Sequence, residues 1–148
     1  MNMFSAFDIN ASGLTAQRYR MDVIAENIAN ANTTRTEDGT PYRRKSVIFA
    51  EKGQGHSFDT ALRKACGSYD GGGVKVIATF EDKSTDLIKA YDPSHPDADA
   101  DGYVYYPNVN VVTEMTNLID ASRSYEANAT AFDASKNLAT TGLNMGKA

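Results

Sequence analysis

The sequence predicts an α+β fold, with a long helix at each end pairing as a coiled coil around a small central β region. Three observations predict it. Residues 3–31 carry a seven-residue apolar repeat, residues 109–143 carry another, and β-branched and aromatic residues gather between them. In the first stretch Phe7, Leu14, Met21 and Ile28 recur at every seventh position, and Met3, Ile24 and Ala31 supply the second seam position. In the last, Met115, Leu118, Ser122, Tyr125, Ala129, Phe132, Lys136, Ala139 and Leu143 alternate steps of three and four, with Lys136 the clear break. A repeat of 3.5 residues keeps one stripe facing a partner helix along its whole length. The candidate subunit-interface residues are therefore Phe7, Leu14, Met21, Ile24, Ile28, Met115, Leu118, Tyr125, Ala129, Phe132, Ala139 and Leu143.

Taken in order, the chain divides into an N-terminal helical segment (1–34), a central β region with an acidic loop (35–106) and a C-terminal helical segment (107–148). Ser5 followed by Asp8 has the spacing of a capping box and predicts the first helix start. The run Asn30-Ala31-Asn32-Thr33-Thr34 predicts its end, because short polar side chains compete for backbone hydrogen bonds. Asp38-Gly39-Thr40-Pro41 reads as a turn. Tyr42–Ala50, Val74–Glu81, Thr85–Tyr91 and Tyr103–Tyr106 read as strands, with Gly71-Gly72-Gly73 a turn before the second. Gly53–Tyr69 reads as a short helix through Phe58, Ala61, Leu62 and Ala65, or as a surface loop. Asn108 or Asn110 is placed to cap the last helix, with Glu114 near its positive end. From Val109 to Thr141 no Gly or Pro interrupts it.

Composition narrows the function class. Apolar residues make up 41% of the 148 positions and there is no Trp, while Asn10, Gln17, Ser122 and Lys136 thin the helical seams. Thin seams bury little area per turn, at roughly 25 cal/mol per Å², which favours association over a self-sufficient monomer. A net charge of −4 argues against a nucleic-acid partner. The one basic cluster, Arg43-Arg44-Lys45, reads as a solvated or subunit-facing patch. No 18-residue apolar run predicts a membrane span, and the charged residues between Asp8 and Glu26 leave no apolar core for a signal peptide. That pattern fits a cytoplasmic protein or export by a route that reads no cleavable signal.

Sites for chemistry are sparse. His56 and His95 lack metal-ligand spacing to each other or to Cys66, which reads as a small buried or half-buried residue. Asp97, Asp99, Asp101 and Gly102 match the start of a calcium-binding EF-hand loop. The twelfth position is Asn108 rather than Glu, and Asp92-Pro93-Ser94-His95-Pro96 is not an entering helix, so a structural acidic turn is the expectation. Nothing nominates a catalytic residue, a metal or a cofactor.

Two segments carry a family resemblance. Ser12-Gly13-Leu14-Thr15-Ala16-Gln17 followed by Arg20 through Thr33 resembles the N-terminal signature of bacterial flagellar rod, hook and related axial proteins. Pro107 through Asn128 is similar to the C-terminal helix of the same proteins. Asp38–Arg44, Gly73–Val76 and Tyr91–Val104 resemble the short subunits of the proximal rod, and Gly53–Ser68 matches least. The resemblance implies a structural protein of the flagellar basal body, exported unprocessed by the flagellar type III apparatus and polymerised in the periplasm. It implies self-association and partners among other rod proteins and the rod–membrane-ring junction. Two alternatives stay open: another short axial or junction protein, and a cytoplasmic coiled-coil adaptor or calcium-binding module.

Overall fold

The computed structural model describes residues 3–53, 58, 62, 65–66 and 72–146. Its elements run α1 (Met3–Ala29), β1 (Lys45–Glu51), β2 (Val74–Glu81), β3 (Ile88–Tyr91), β4 (Tyr103–Tyr106) and α2 (Val111–Met145). The α+β class, with two long terminal helices and a small central β region, is therefore as expected. The strands form two separate two-stranded sheets, β1 with β2 and β3 with β4. In the second sheet, antiparallel pairing sets Ile88 opposite Tyr106 and Tyr91 opposite Tyr103. The first also runs antiparallel, since the Lys52 N–H donates to the Gly73 carbonyl while the Asp82 N–H donates to that of Arg44.

Several boundaries differ from the sequence reading. Among the described residues α1 already begins at Met3, so Ser5 lies inside the helix and is not its cap. Strand β1 starts at Lys45 rather than Tyr42, because the Tyr42 side chain is buried and its hydroxyl donates to Asn27. Strand β3 starts at Ile88 because Asp82 holds the preceding segment in a turn. Its carboxylate accepts from the N–H and hydroxyl of both Ser84 and Thr85, which keeps it well below the usual carboxylate range. Asn110 caps α2, its Oδ1 accepting from the Val112 and Thr113 N–H groups at 3.0 and 3.2 Å. Gly53–Tyr69 falls mostly outside the described residues, as do His56 and Gly71; Phe58, Leu62 and Cys66 are described and exposed. Cys66 is thus exposed and not buried or half-buried as the sequence suggested.

By internal contacts the chain groups into two compact units. One comprises Met1–Tyr19, Phe49–Ile77 and Ser122–Ala148; the other comprises Arg20–Ile48 and Ala78–Ala121. In the first unit α1 and α2 touch: the Phe7 and Phe132 rings are edge-to-face at 5.2 Å, and Asn10 donates to Ser135. Gly13 lies against Asn128, where an added Cβ would sit 3.0 Å from Oδ1. Only Ala16 of that unit's described apolar residues is fully buried. The hairpin is tied to the helix by Ser12, whose hydroxyl donates to the Ile9 carbonyl and accepts from the Val74 N–H at 3.0 Å.

Gly73 makes this tie possible. Its φ is +83°, and a Cβ there would meet Ser12 Oγ at 2.3 Å. Gly73→Ala is expected to cost about 2–3 kcal/mol, from the left-handed backbone and the displaced Ser12 hydrogen bond together. Urea unfolding of the full chain checks it; an unchanged midpoint would place the tie outside the stability of the fold.

The second unit holds most of the described core: Val23, Ile24, Tyr42, Val104, Val109 and Ala121, together with Pro107. Three polar side chains are buried with them, Asn27, Asn108 and Glu114.

Candidate functional site: a polar clamp and an exposed helix stripe

The three buried polar groups converge on the start of β1. Asn27 is on the face of α1 that also carries Val23 and Ile24, because residues three and four apart stack on one side of a helix. Fully buried, its amide makes four hydrogen bonds. Nδ2 donates to the Lys45 carbonyl at 2.8 Å and to Glu114 Oε2 at 3.1 Å. Oδ1 accepts from the Lys45 N–H at 2.8 Å and from the Tyr42 hydroxyl at 2.9 Å. All the capacity of a carboxamide is therefore used. By pairing with both backbone groups of Lys45, the side chain stands in for a neighbouring strand.

Asn108 does the same on the other side. Its Oδ1 accepts from the Arg44 N–H at 2.9 Å, and its Nδ2 donates to the Asp82 carbonyl at 3.0 Å and the Thr85 carbonyl at 3.3 Å. The amide is spliced between Arg44 and Asp82, closing a ladder position that has no direct bond from the Arg44 N–H. Its sequence neighbours Pro107 and Val109 are buried as well.

Glu114 completes the clamp from the first turn of α2. Its side chain is 1% exposed, and Oε1 accepts from Arg44 Nε at 2.9 Å and Nη2 at 2.8 Å. Asn117 Nδ2 adds a third donor at 3.2 Å. Two N–H groups of one guanidinium converge on a single carboxylate oxygen, a directed, charge-assisted contact. Burial and the nearby carboxylates of Glu26, Glu81 and Glu114 push the Tyr42 hydroxyl far above its ordinary range, so it stays a donor.

Each residue of the basic cluster makes a contact within its own chain while Arg44 and Lys45 keep part of their side chains exposed. Arg44 pairs with Glu114, Lys45 with Glu26, and Arg43 donates to the Asp82 carbonyl. Acids supplied by α1 and α2 hold Arg44 and Lys45, and Arg43 shares the Asp82 carbonyl with Asn108. The acidic loop is engaged likewise. Asp97 accepts from the Thr34 hydroxyl at 2.8 Å with Arg35 at 3.8 Å, and Asp99 accepts from the Asp101 N–H. Its N–H groups bond within the turn, and among the described residues no His, Cys, Asp and Glu group could hold a metal ion. His95 Nδ1 accepts from the Asp97 N–H. Tyr103 meets the Tyr91 ring edge-to-face, with Lys89 Nζ 3.9 Å from its centroid.

The candidate interface residues divide by environment. Ile24 is buried, while Phe7, Leu14, Met21, Ile28, Leu118, Ala129, Phe132 and Ala139 are half-buried. Met115, Tyr125 and Leu143 are exposed. Beside Met115 (54% exposed) stand Val112 (74%) and Ile119 (54%), which a strict seven-residue seam passes over. Their i, i+3, i+7 spacing, tested for a second stripe, would have found them. No described helix is long and apolar enough to cross a membrane.

Comparison with known proteins gives concordant results. The flagella basal body rod protein family model matches residues 7–35, and the C-terminal model of flagellar basal body rod FlgEFG proteins matches residues 100–145. The chain is 44% identical to the flagellar basal-body rod protein FlgC of Bacillus subtilis, over 99% of this chain and all of that protein. It is 45% identical to that of Borreliella burgdorferi over 97% of each. With FlgC of Salmonella typhimurium the identity is 40%, over 99% of this chain and all of the relative.

Proposed function

Because the chain belongs to the flagellar basal-body rod protein FlgC family, we propose that it is a structural subunit of the proximal rod, a mechanical part and not an enzyme. Its terminal helices pair and polymerise in the periplasm, and the resulting drive shaft passes torque from the membrane ring to hook and filament. Its partners are further copies of itself, other rod proteins and the rod–ring junction. It reaches them through the flagellar type III export apparatus without a cleaved signal, and it uses no cofactor.

One observation carries this beyond family likeness. Val112, Met115 and Ile119 form an exposed apolar stripe on the first turns of α2, a segment whose opposite face is held by Glu114. Exposed apolar rows at helical spacing cost solubility in an isolated protein and are removed from water in an assembly. The half-buried seam residues Leu14, Met21 and Ile28 extend the same logic to α1, each gaining further burial against a neighbouring helix.

The double substitution Met115→Asp with Ile119→Asp is expected to abolish swimming and incorporation into basal bodies in cells lacking their own copy. The purified variant should keep its melting temperature, since both side chains are exposed in the subunit. Arg18→Ala, also exposed, should leave both unchanged. Basal bodies that contain the doubly charged variant, in cells that swim, would remove the stripe from the interface.

A further inference from the structure

We propose that Glu114, Arg44 and Asn27 form a positioning device that fixes the rotation of α2 about its own axis and so points the Val112–Met115–Ile119 stripe outward. The inference rests on the assembly role given to that stripe above.

The first turns of α2 cannot fix their own rotation by apolar burial. At roughly 100° per residue, Leu118 lies about 40° from Glu114 around the helix, Val111 about 60° and Met115 about 100°. Ile119 follows at about 140° and Val112 at about 160° on the same projection. Apolar side chains thus cover a broad arc starting beside the buried face. Turning the first turns by about 100° would bring Met115 to the place of Glu114 and still keep apolar side chains on the packed side, at the loss of the single methyl group of Ala121. The hydrophobic effect is non-directional and does not separate these arrangements.

The polar contacts do separate them. The buried residues of α2 are Glu114 and Ala121, seven positions apart and hence within about 20° of each other. Ala121 offers one methyl group. Glu114 offers two oxygens met by directed donors from β1 and α1, Arg44 through Nε and Nη2 and Asn27 through Nδ2. Asn27 is itself fixed by Lys45, so the carboxylate has one position in which every partner is satisfied. A rotated helix would strand a half-buried guanidinium and a fully buried carboxamide. Buried ion pairs contribute little net stability compared with apolar replacements, and their best-attested use is to select one register.

The test separates stability from orientation in the purified full chain. Arg44→Met combined with Glu114→Met replaces the pair with unbranched apolar groups, equal in length to glutamate and shorter than arginine. It should unfold cooperatively, with a melting temperature no more than about 4 °C below the parent. Hydroxyl-radical labelling read by mass spectrometry should show Met115 oxidised severalfold more slowly, and the variant should fail to support swimming. Unchanged Met115 labelling in the folded double variant overturns the proposal. Should that variant fail to fold, Glu114→Gln, which keeps shape and loses charge, is read by the same criterion. Ile119→Asp leaves the clamp intact and should keep parental labelling. If it assembles normally, the stripe is not an interface, yet the labelling result on the clamp still stands.

Discussion

Replacing Asn27 with leucine is expected to destabilise the fold by about 3–5 kcal/mol, among the largest effects of any single substitution in this chain. Leucine matches asparagine in shape, so the loss comes from hydrogen bonding and not from a cavity. Four bonds disappear at once, leaving the Lys45 N–H and carbonyl, the Tyr42 hydroxyl and one oxygen of Glu114 short of a partner. Each buried group left unsatisfied costs about 1–3 kcal/mol, tempered here because Lys45 is half-buried and water can reach part of it. Asn27→Asp should be as harmful, since it removes the donors and sets a second carboxylate beside Glu114. Urea denaturation gives the value. A loss below about 1 kcal/mol for the leucine variant would mean that the freed groups find water, and the clamp would not be a dry site.

Glu114→Ala is expected to cost about 3 kcal/mol, at the lower end for a broken buried pair because the Arg44 side chain keeps 30% of its surface exposed. The arginine loses both directed contacts and turns toward solvent, and Asn27 and Asn117 lose an acceptor each. Because Glu114 and Asn27 share a bond, combining Glu114→Ala with Asn27→Leu should cost less than the sum of the two, by about 1 kcal/mol or more. Strict additivity in the double-mutant cycle would show that the two side chains act independently.

The helices were legible because periodicity is a local property. Phe7 through Ile28 and Met115 through Leu143 repeat within their own segments, and the Val74–Glu81 run announces a strand by its branched and aromatic residues. The clamp was not legible in the same way. Its members are polar, and they lie 18, 70 and 87 positions apart along the bonds that join them. Glu114 suits a helix start for dipole reasons alone, and Arg44 in a basic run looks like a solvated cation; only the fold shows that they meet. Asn27 did leave a trace. It falls three after Ile24 and four after Val23, a polar residue on an apolar face, and such a residue must find partners when buried. The acidic loop misled in a milder way, since its carboxylate spacing invites a cation while Thr34 and Arg35 supply the partners of Asp97.

Among the described residues strand β1 has β2 on one side only, so its other side is an open edge. Arg44 directs its carbonyl toward β2, and by the alternation of backbone groups Lys45 directs its N–H and carbonyl the opposite way. Those are the two groups that Asn27 covers. Open edges invite uninvited strand addition from neighbouring chains, the route to amyloid-like aggregates. In the assembly proposed above, subunits packed side by side would meet this hazard at high local concentration. By plugging the first outward position of the edge with a side-chain amide, the helix denies a stray strand its starting contact.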